Sequence, residues 1–363
     1  MFNSNRLRLA RKRRRLTGVE LALKAGLTPV TLSRIERTRN EPTTETIQAL
    51  AQALRYPQEF FSGVDLDEVE EDAASFRSLK SMTARERDAA LAAAAIAFLL
   101  SDYIDDEFRL PAPSLLDLSA ERAPEFAARR LRSSWGIGEQ PITNMIDLLE
   151  AKGVRVFSLS ENTLAVDAFS CWRNDIPYIF LNTRKSAEHS RFDAAHELGH
   201  LCLHKHGGAR QASVETEANA FASEFLMPEA DMRARIRHVH ALSQLRIAKA
   251  RWGVSLAAMT YRLSKLGVLT EWQSRMFFIE INRFGFRTDE PDPMRRETSS
   301  IWQIVLREFW KRRITKDDIA KRLHLPAEEL ESLLFGLAAL PDSQLPDKSE
   351  ATRTRPRLAV HNE

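Results

Sequence analysis

At 363 residues the chain exceeds the usual span of one domain, and 44% hydrophobic with 28% charged content is the composition of a soluble globular protein. A net charge of +3 names no partner, but residues 1–15 hold seven basic residues and no acid, whereas 65–72 hold six acids and no base, so only the first could face phosphate. The most apolar run, Ala89 to Leu100, is twelve residues where a membrane span needs about 20, so no membrane span is present and no membrane partner is expected.

From Arg6 to Phe61 the pattern predicts short helices: LRLARKRR, LTGVELALKAG, TPVTLSRIER and TTETIQALAQAL, with Gly26 and the run Arg39 to Pro42 as breaks. Residues 16–36 have the helix-turn-helix form, an apolar helix with small Ala22, a turn at Gly26, Thr28 as N-cap of a second helix and Ile35 as its core anchor. In that form the second helix enters the major groove of double-stranded operator DNA. Thr28, Val30, Thr31 and Arg34 are then candidates for base edges, and Arg11, Arg14, Arg37 and Arg39 for phosphates. Ser62 to Lys80 is acidic and aperiodic and reads as an exposed linker.

Ala84 to Phe108 reads as a long Ala-rich helix, followed by helices over Ala123 to Trp135 and Ile142 to Lys152, the latter capped by Gly153. VRVFSL (154–159), AVDAFSCW (165–172) and IPYIFLNT (176–183) are short and rich in β-branched and aromatic residues, and predict a small sheet. Ser186 is the N-cap of a helix to about His204, stopped by Gly207 and Gly208, and a second helix covers Val214 to Met227. Beyond it lie a helical hairpin at Ile247 to Leu266, a β-hairpin at Met276 to Arg287, two or three helices in 301–340, and a tail after Pro341 that reads as disordered. The N-terminus lacks the apolar core and cleavage site of a signal peptide, and Cys171 and Cys202 make no disulfide framework, so a cytoplasmic protein is expected, nucleoid-associated when on DNA.

RFDAAHELGHLCLH (191–204) carries the chemistry. His196 and His200 lie four residues apart, about 40° around a helix and about 6 Å along it, so both imidazoles can reach one metal ion. Glu197 can address metal-bound water without being a ligand, the arrangement in which zinc lowers the water pKa to about 7 and a carboxylate takes the proton. A third ligand is required. His204 lies about 12 Å from His196 along a regular helix, Cys202 faces away, and His189 and Asp193 read as surface or supporting groups. Glu215 shares its side of the next helix with Ala218, Asn219 and Ala222, small groups that permit close packing, while Glu217 points about 200° away. Glu215 is therefore the expected third ligand and Glu217 the next choice.

Two resemblances follow. ELALKAG, TLSRIER, EPTTETIQALAQAL and PQEFF resemble the XRE (Cro/repressor-like) family, although Gly18 stands where that family usually has a backbone-contacting Gln. RFDAAHELGHLCLH with ETEANAFASEFLMP resembles the ImmA/IrrE metallopeptidases, from FLNTRKSAEHS to about Leu269. The second resemblance implies Zn²⁺ held by His196, His200 and Glu215, Glu197 as catalytic acid/base, and cleavage of an XRE-type repressor or of the chain itself. The expected fold is α+β and mostly helical. It comprises a helix-turn-helix bundle (1–62), an acidic linker (63–82), a zincin-like domain with a small sheet and the HExxH helix (83–270), a helical C-terminal region of open role (271–340) and a tail (341–363). The expected function is a homodimeric DNA-binding regulator with a zinc endopeptidase domain, the alternative being a non-proteolytic transcription factor that senses a ligand or metal.

Overall fold

The structure, a computed structural model, describes residues 1–69, 75–76, 82–159, 168–205, 212–338 and 359–360. The N-terminal bundle comprises α1 (Ser4–Arg13), α2 (Gly18–Lys24), α3 (Pro29–Glu36) and α4 (Thr44–Leu54), closed by a 3-10 turn, Gln58–Ser62. Each α-helix begins where a side-chain oxygen accepts an otherwise unpaired backbone N–H: Asn3, Thr17, Thr28 and Thr43. Gly26 takes φ +67° in the turn between α2 and α3, a left-handed conformation that favours glycine. Leu7, Leu21, Ala22, Leu32, Ile35, Leu50, Leu54 and Phe60 fill the core beneath.

Two-residue β1 (Ser75–Phe76) precedes α5 (Ala84–Glu107), the Ala-rich helix, which ends in two-residue β2 (Phe108–Arg109). Small side chains along α5 let it approach α1 closely, and Phe98 on the same helix meets Tyr178 and Phe180 of the sheet. Then come α6 (Pro124–Ser134), α7 (Met145–Ala151), and the strands β3 (Arg155–Ser158), β4 (Ala168–Arg173) and β5 (Ile176–Leu181). Gly153, at φ +81°, turns the chain out of α7, and an added Cβ there would strike the backbone at Ala112 and Pro113. The sheet order is β1-β4-β5-β3, with β4 antiparallel to β5 and to β1, and β3 parallel to β5. Phe157, Phe169, Tyr178 and Phe180 stack as one aromatic layer around Phe98, while Ser170, on the alternate side of β4, meets the next helix. Hence the sheet lies between α5 and that helix.

The helix that carries His196 and His200 is α8 (Ala187–Leu203), followed by α9 (Ala212–Leu226). Ser186 caps α8 as expected, and the helix ends at His204; Gly207 and Gly208 lie outside the described residues, as do 165–167 and nearly all of the tail, whose two described residues form β6 (Ala359–Val360) against β2. The remaining helices are α10 (Glu229–Arg235), α11 (Leu242–Ala248), α12 (Leu256–Lys265), α13 (Glu271–Arg283), α14 (Ser300–Lys311), α15 (Lys316–Arg322) and α16 (Ala327–Leu334). The hairpin expected at Met276 to Arg287 is wrong: most of it is α13, opened by a capping box of Thr270 and Gln273 and burying Phe277 and Ile281, four residues apart on one face. The chain is thus α+β and mostly helical, and among the described residues no helix is long and apolar enough to cross a membrane.

The C-terminal helices reach both ends of the molecule. Glu329 on α16, 2% exposed, accepts hydrogen bonds from Arg13 Nε (2.8 Å) and Tyr56 Oη (3.0 Å) and lies 3.0 Å from Arg14 Nη1. Just beyond α16 the Phe335 carbonyl accepts a hydrogen bond from Thr183 after β5, and Trp302 of α14 donates to the Val156 carbonyl of β3.

Glu150 on α7 is a buried joint of this kind. Its carboxyl accepts from Ser299 Oγ (2.5 Å) and the Ile301 amide (3.3 Å) at the start of α14, and burial raises its pKa from 4.5 to about 8. The folded state keeps this proton up to about pH 8 whereas an unfolded glutamate releases it near 4.5, so its contribution is fully present below about pH 4.5 and is lost as pH rises towards 8. Glu150→Gln cannot ionise, though its amide cannot accept from both donors. Thermal melts should place this variant below the parent at pH 5 and close the gap or reverse it at pH 8; a gap independent of pH would contradict the buried, protonated carboxyl.

Candidate metal centre and DNA-reading face

The centre depends on how closely α8 and α9 pack. Gly199 faces Ala218 and Phe221, and a Cβ at Gly199 would lie 3.1 Å from Phe221 Cδ1 and 3.3 Å from Ala218 Cα. With glycine there, the helices draw near enough for Glu215 to face His196 and His200. Glu215 Oε2 is 3.2 Å from His196 Nε2, Glu215 Oε1 is 3.4 Å from His200 Nε2, and the two Nε2 atoms are 3.0 Å apart. One donor atom from each of the three residues lies within 4.8 Å of the others.

The outer nitrogens of the rings are wired so that both Nε2 atoms can face inward as lone pairs. His196 Nδ1 is 3.1 Å from Asn219 Oδ1, an acceptor, which favours a proton on Nδ1. His200 Nδ1 is 3.2 Å from His204 Nδ1, and His204 Nε2 is 3.0 Å from Glu217 Oε2. If Glu217 accepts the Nε2 proton of His204, His204 Nδ1 accepts from His200 Nδ1, and His200 Nε2 is left bare. His204 and Glu217 therefore stand behind the converging trio. Burial raises the pKa of Glu215, but the facing rings of His196 and His200 outweigh it and lower the carboxyl to about 2, which leaves it an anionic donor.

Glu197 is fully buried next to His196, and Ser170 Oγ of β4 donates to its Oε2 at 2.7 Å. Ser170 has no signal in the sequence, since only the register of β4 against α8 gives it a role. Asn219 was visible as a small residue on the face of Glu215, without its hydrogen bond being apparent. His189 pairs with Asp193 at 3.3 Å, away from the trio, and Cys202 is fully buried, its thiol pKa raised by burial. Cys171, behind Glu197, is pushed up to about 12, first by burial and then by the nearby carboxylate. A cleft of about 1020 Å³ continues the α8–α9 seam, lined by Phe126, Phe192, Asn219, Ser223, Tyr261 and Phe286. Two imidazoles and a carboxylate converging on one point are a donor set that fits a divalent metal of the zinc type, with the Glu197 carboxyl packed alongside.

At the other end, Thr28, Val30, Arg34, Arg37 and Arg39 are exposed on and after α3, and Thr31 is half-buried. Thr28 Oγ1 accepts the Thr31 amide at 3.1 Å and is 2.8 Å from Thr31 Oγ1. Arg14 departs from the expected phosphate contact. Its guanidinium donates to the Leu54 carbonyl (2.8 Å), pairs with Glu329 and stacks over Tyr56, so the side chain is committed inside the molecule. Arg11 is likewise held by Glu36 at 2.6 Å.

Residues 7–60 match the family described as helix-turn-helix, and residues 149–264 match that of the IrrE N-terminal-like domain. Metallopeptidase ImmA of Bacillus subtilis (strain 168) is 27% identical over 114 residues, which cover 29% of this chain and 65% of that protein. The chain thus spans just under two thirds of the length of that relative. The two matched regions are thus similar to a helix-turn-helix of XRE type and to the IrrE/ImmA metallopeptidases.

The seam is open to test. Gly199→Val should push α9 off α8, destabilising the fold by about 1–3 kcal/mol and weakening divalent-metal binding as Glu215 withdraws. Denaturant unfolding and zinc titration measure both; parent-like values in each would contradict the close-packing argument.

Proposed function

We propose that this two-part chain is a transcriptional regulator that carries its own zinc-dependent endopeptidase, acting on a repressor-type protein or on another copy of itself. The observation that carries the reading is the convergence of His196, His200 and Glu215 with Glu197 packed beside them. His196 and His200 would hold zinc through Nε2 and Glu215 through its carboxylate, and the bound ion supplies Lewis acidity towards a water and a peptide carbonyl. Glu197, oriented by Ser170, takes a proton from the attacking water and returns it to the departing amine. Asn219 and the His204–Glu217 pair keep the two rings turned inward. Burial of Glu197 and both histidines excludes competing water.

In this reading each of His196→Ala, His200→Ala and Glu215→Ala loses zinc, while Glu197→Gln keeps zinc and loses hydrolysis. Metal content by mass spectrometry, beside cleavage of an added XRE-type repressor and of the chain itself, separates these outcomes. Glu215→Ala binding zinc as tightly as the parent would remove it from the ligand set. Zinc retained with no cleavage of any repressor or of the chain would leave a metal-sensing regulator and no peptidase.

The reader is proposed to bind as a dimer on a two-fold operator, α3 in the major groove. Arg34→Ala should weaken specific binding by about 1–3 kcal/mol and relax one base position, whereas Arg37→Ala and Arg39→Ala should weaken binding to every sequence and flatten its salt dependence. Nothing lies within 4 Å of a Cβ added at Gly18, so Gly18→Gln should fit and strengthen binding through the backbone contact that the XRE resemblance implies. Fluorescence anisotropy at several salt concentrations measures all four. Sequence-independent loss for Arg34→Ala would remove α3 from base reading.

A further inference from the structure

Helices α14 to α16 repeat α1 to α3. Thr17 and Thr315 each open a helix with a capping box, closed by Glu20 in one and Asp318 in the other. Counting on from that pair, Leu21 and Ala22 meet buried Ile319 and Ala320, and Leu32 and Ile35 meet buried Leu330 and Leu333. Gly26, at φ +67°, meets His324, at φ +55°, so both turns pass through a left-handed residue at the same place. Both turns close alike: the Leu27 amide donates to the Ala22 carbonyl and the Leu325 amide to the Ala320 carbonyl, each at 2.8 Å. Counting back, Arg15 (φ +57°) meets Arg313 (φ +59°), and buried Leu7 meets buried Val305. From Leu7 to Ile35 no residue is inserted or skipped, so core, caps and left-handed turns give one register independently.

In that register α16 stands where the first unit has α3, but its chemistry is opposite. Glu329 takes the place of Thr31 and Ser332 that of Arg34, and α16 carries three acids, Glu328, Glu329 and Glu331, and no base. In a DNA groove these carboxylates would meet phosphates of like charge. Here the two substituted positions meet arginine. Glu329 Oε2 accepts from Arg13 Nε at 2.8 Å, its Oε1 lies 3.0 Å from Arg14 Nη1, and Ser332 Oγ accepts from Arg13 Nη2 at 3.2 Å. A carboxylate buried as Glu329 is needs such partners. The contact engages only the end of α1, and Val30 and Arg34 on α3 stay exposed.

We propose that α14 to α16 are a second helix-turn-helix unit turned from nucleic acid to protein, whose α16, in the place of a reading helix, is the dock for the basic end of α1, filled by the chain's own reader. The dock is itself anchored. Just past α16 the Phe335 carbonyl accepts from Thr183, and a Cβ on Gly336 would lie 3.1 Å from Thr183 Cβ, so α16 is fixed to the end of β5. Through it the reader takes a set orientation against the sheet, and the chain offers DNA one reading helix in place of two.

The test uses the full-length chain with nitroxide labels at Leu23→Cys on the reader and Ile247→Cys beyond it, positions 81% and 80% exposed, whereas Cys171 and Cys202 are buried. Double electron–electron resonance should give the parent one narrow distance. Glu329→Thr and Ser332→Arg, which restore what α3 carries at those places, should each lose it in favour of a broad distribution, with circular dichroism showing the helices intact. Ser332→Arg leaves the carboxylate in place and decides the matter should Glu329→Thr fail to fold. A narrow distance kept by a folded variant would overturn the dock. Binding to a random-sequence duplex at low salt gives the second arm. Arg34→Ala, Arg37→Ala and Arg39→Ala together should weaken it at least about tenfold, and adding Lys316→Ala, Lys321→Ala and Arg322→Ala should weaken it no further; a further loss would show that the second unit still binds DNA and would overturn its turn to protein. The distance measurement needs neither DNA nor catalysis, so its failure is distinct from failure of the operator or peptidase reading.

Discussion

Everything at the candidate metal centre depends on the approach of α8 to α9 across Gly199. A helix presents His196 and His200 together by its own periodicity, but a third donor must come from elsewhere in the fold. Glu215 reaches them because Gly199 and Ala218 leave the seam nearly bare and Phe221 closes against it. The same closeness brings Asn219 to His196 and Glu217 to His204, so the groups that turn the rings come from the helix that supplies the carboxylate. One packing decision therefore sets both the donors and their orientation.

The sheet supplies the other half. Between α5 on its aromatic side and α8 on the side of Ser170, it holds α8 at a fixed register, and Ser170 orients Glu197 from β4. Buried carboxyls elsewhere show the same economy. Glu150 joins α7 to α14, and Glu329 draws Arg13, Arg14 and Tyr56 of the reader onto α16. Glu329 is costly to bury alone and is satisfied only when the reader docks, so the contact couples the two ends of the chain physically. Its surroundings also raise the pKa of Tyr56, by burial first and then by the carboxylate.

Local periodicity made most of this legible. The caps at Thr28 and Ser186, the turn at Gly26, the three main strands and the extent of α8 follow from near neighbours in sequence. Glu215 was legible because Ala218 and Ala222 mark the side of α9 that can approach another helix. What depended on distant packing was not. Arg14 reads as a phosphate contact until Glu329, more than three hundred residues away, is brought beside it. Ser170 is silent until β4 is laid against α8. The stretch Met276 to Arg287 reads as a hairpin because its aromatic and branched residues suit strands, yet the capping box at Thr270 and the burial of Phe277 with Ile281 make it helical. The acidic run reads as solvated because charge usually is, and Arg173 cannot be assigned to Asp67 without the fold.

The claim that one ion unites α8 and α9 has a direct spectroscopic and crystallographic test. Anomalous diffraction at the zinc edge from crystals of the purified chain should place one ion within bonding distance of His196 Nε2, His200 Nε2 and the Glu215 carboxylate, with His204 and Glu217 behind it. An ion bound through His204 or Glu217, or zinc located only away from this trio, would contradict it.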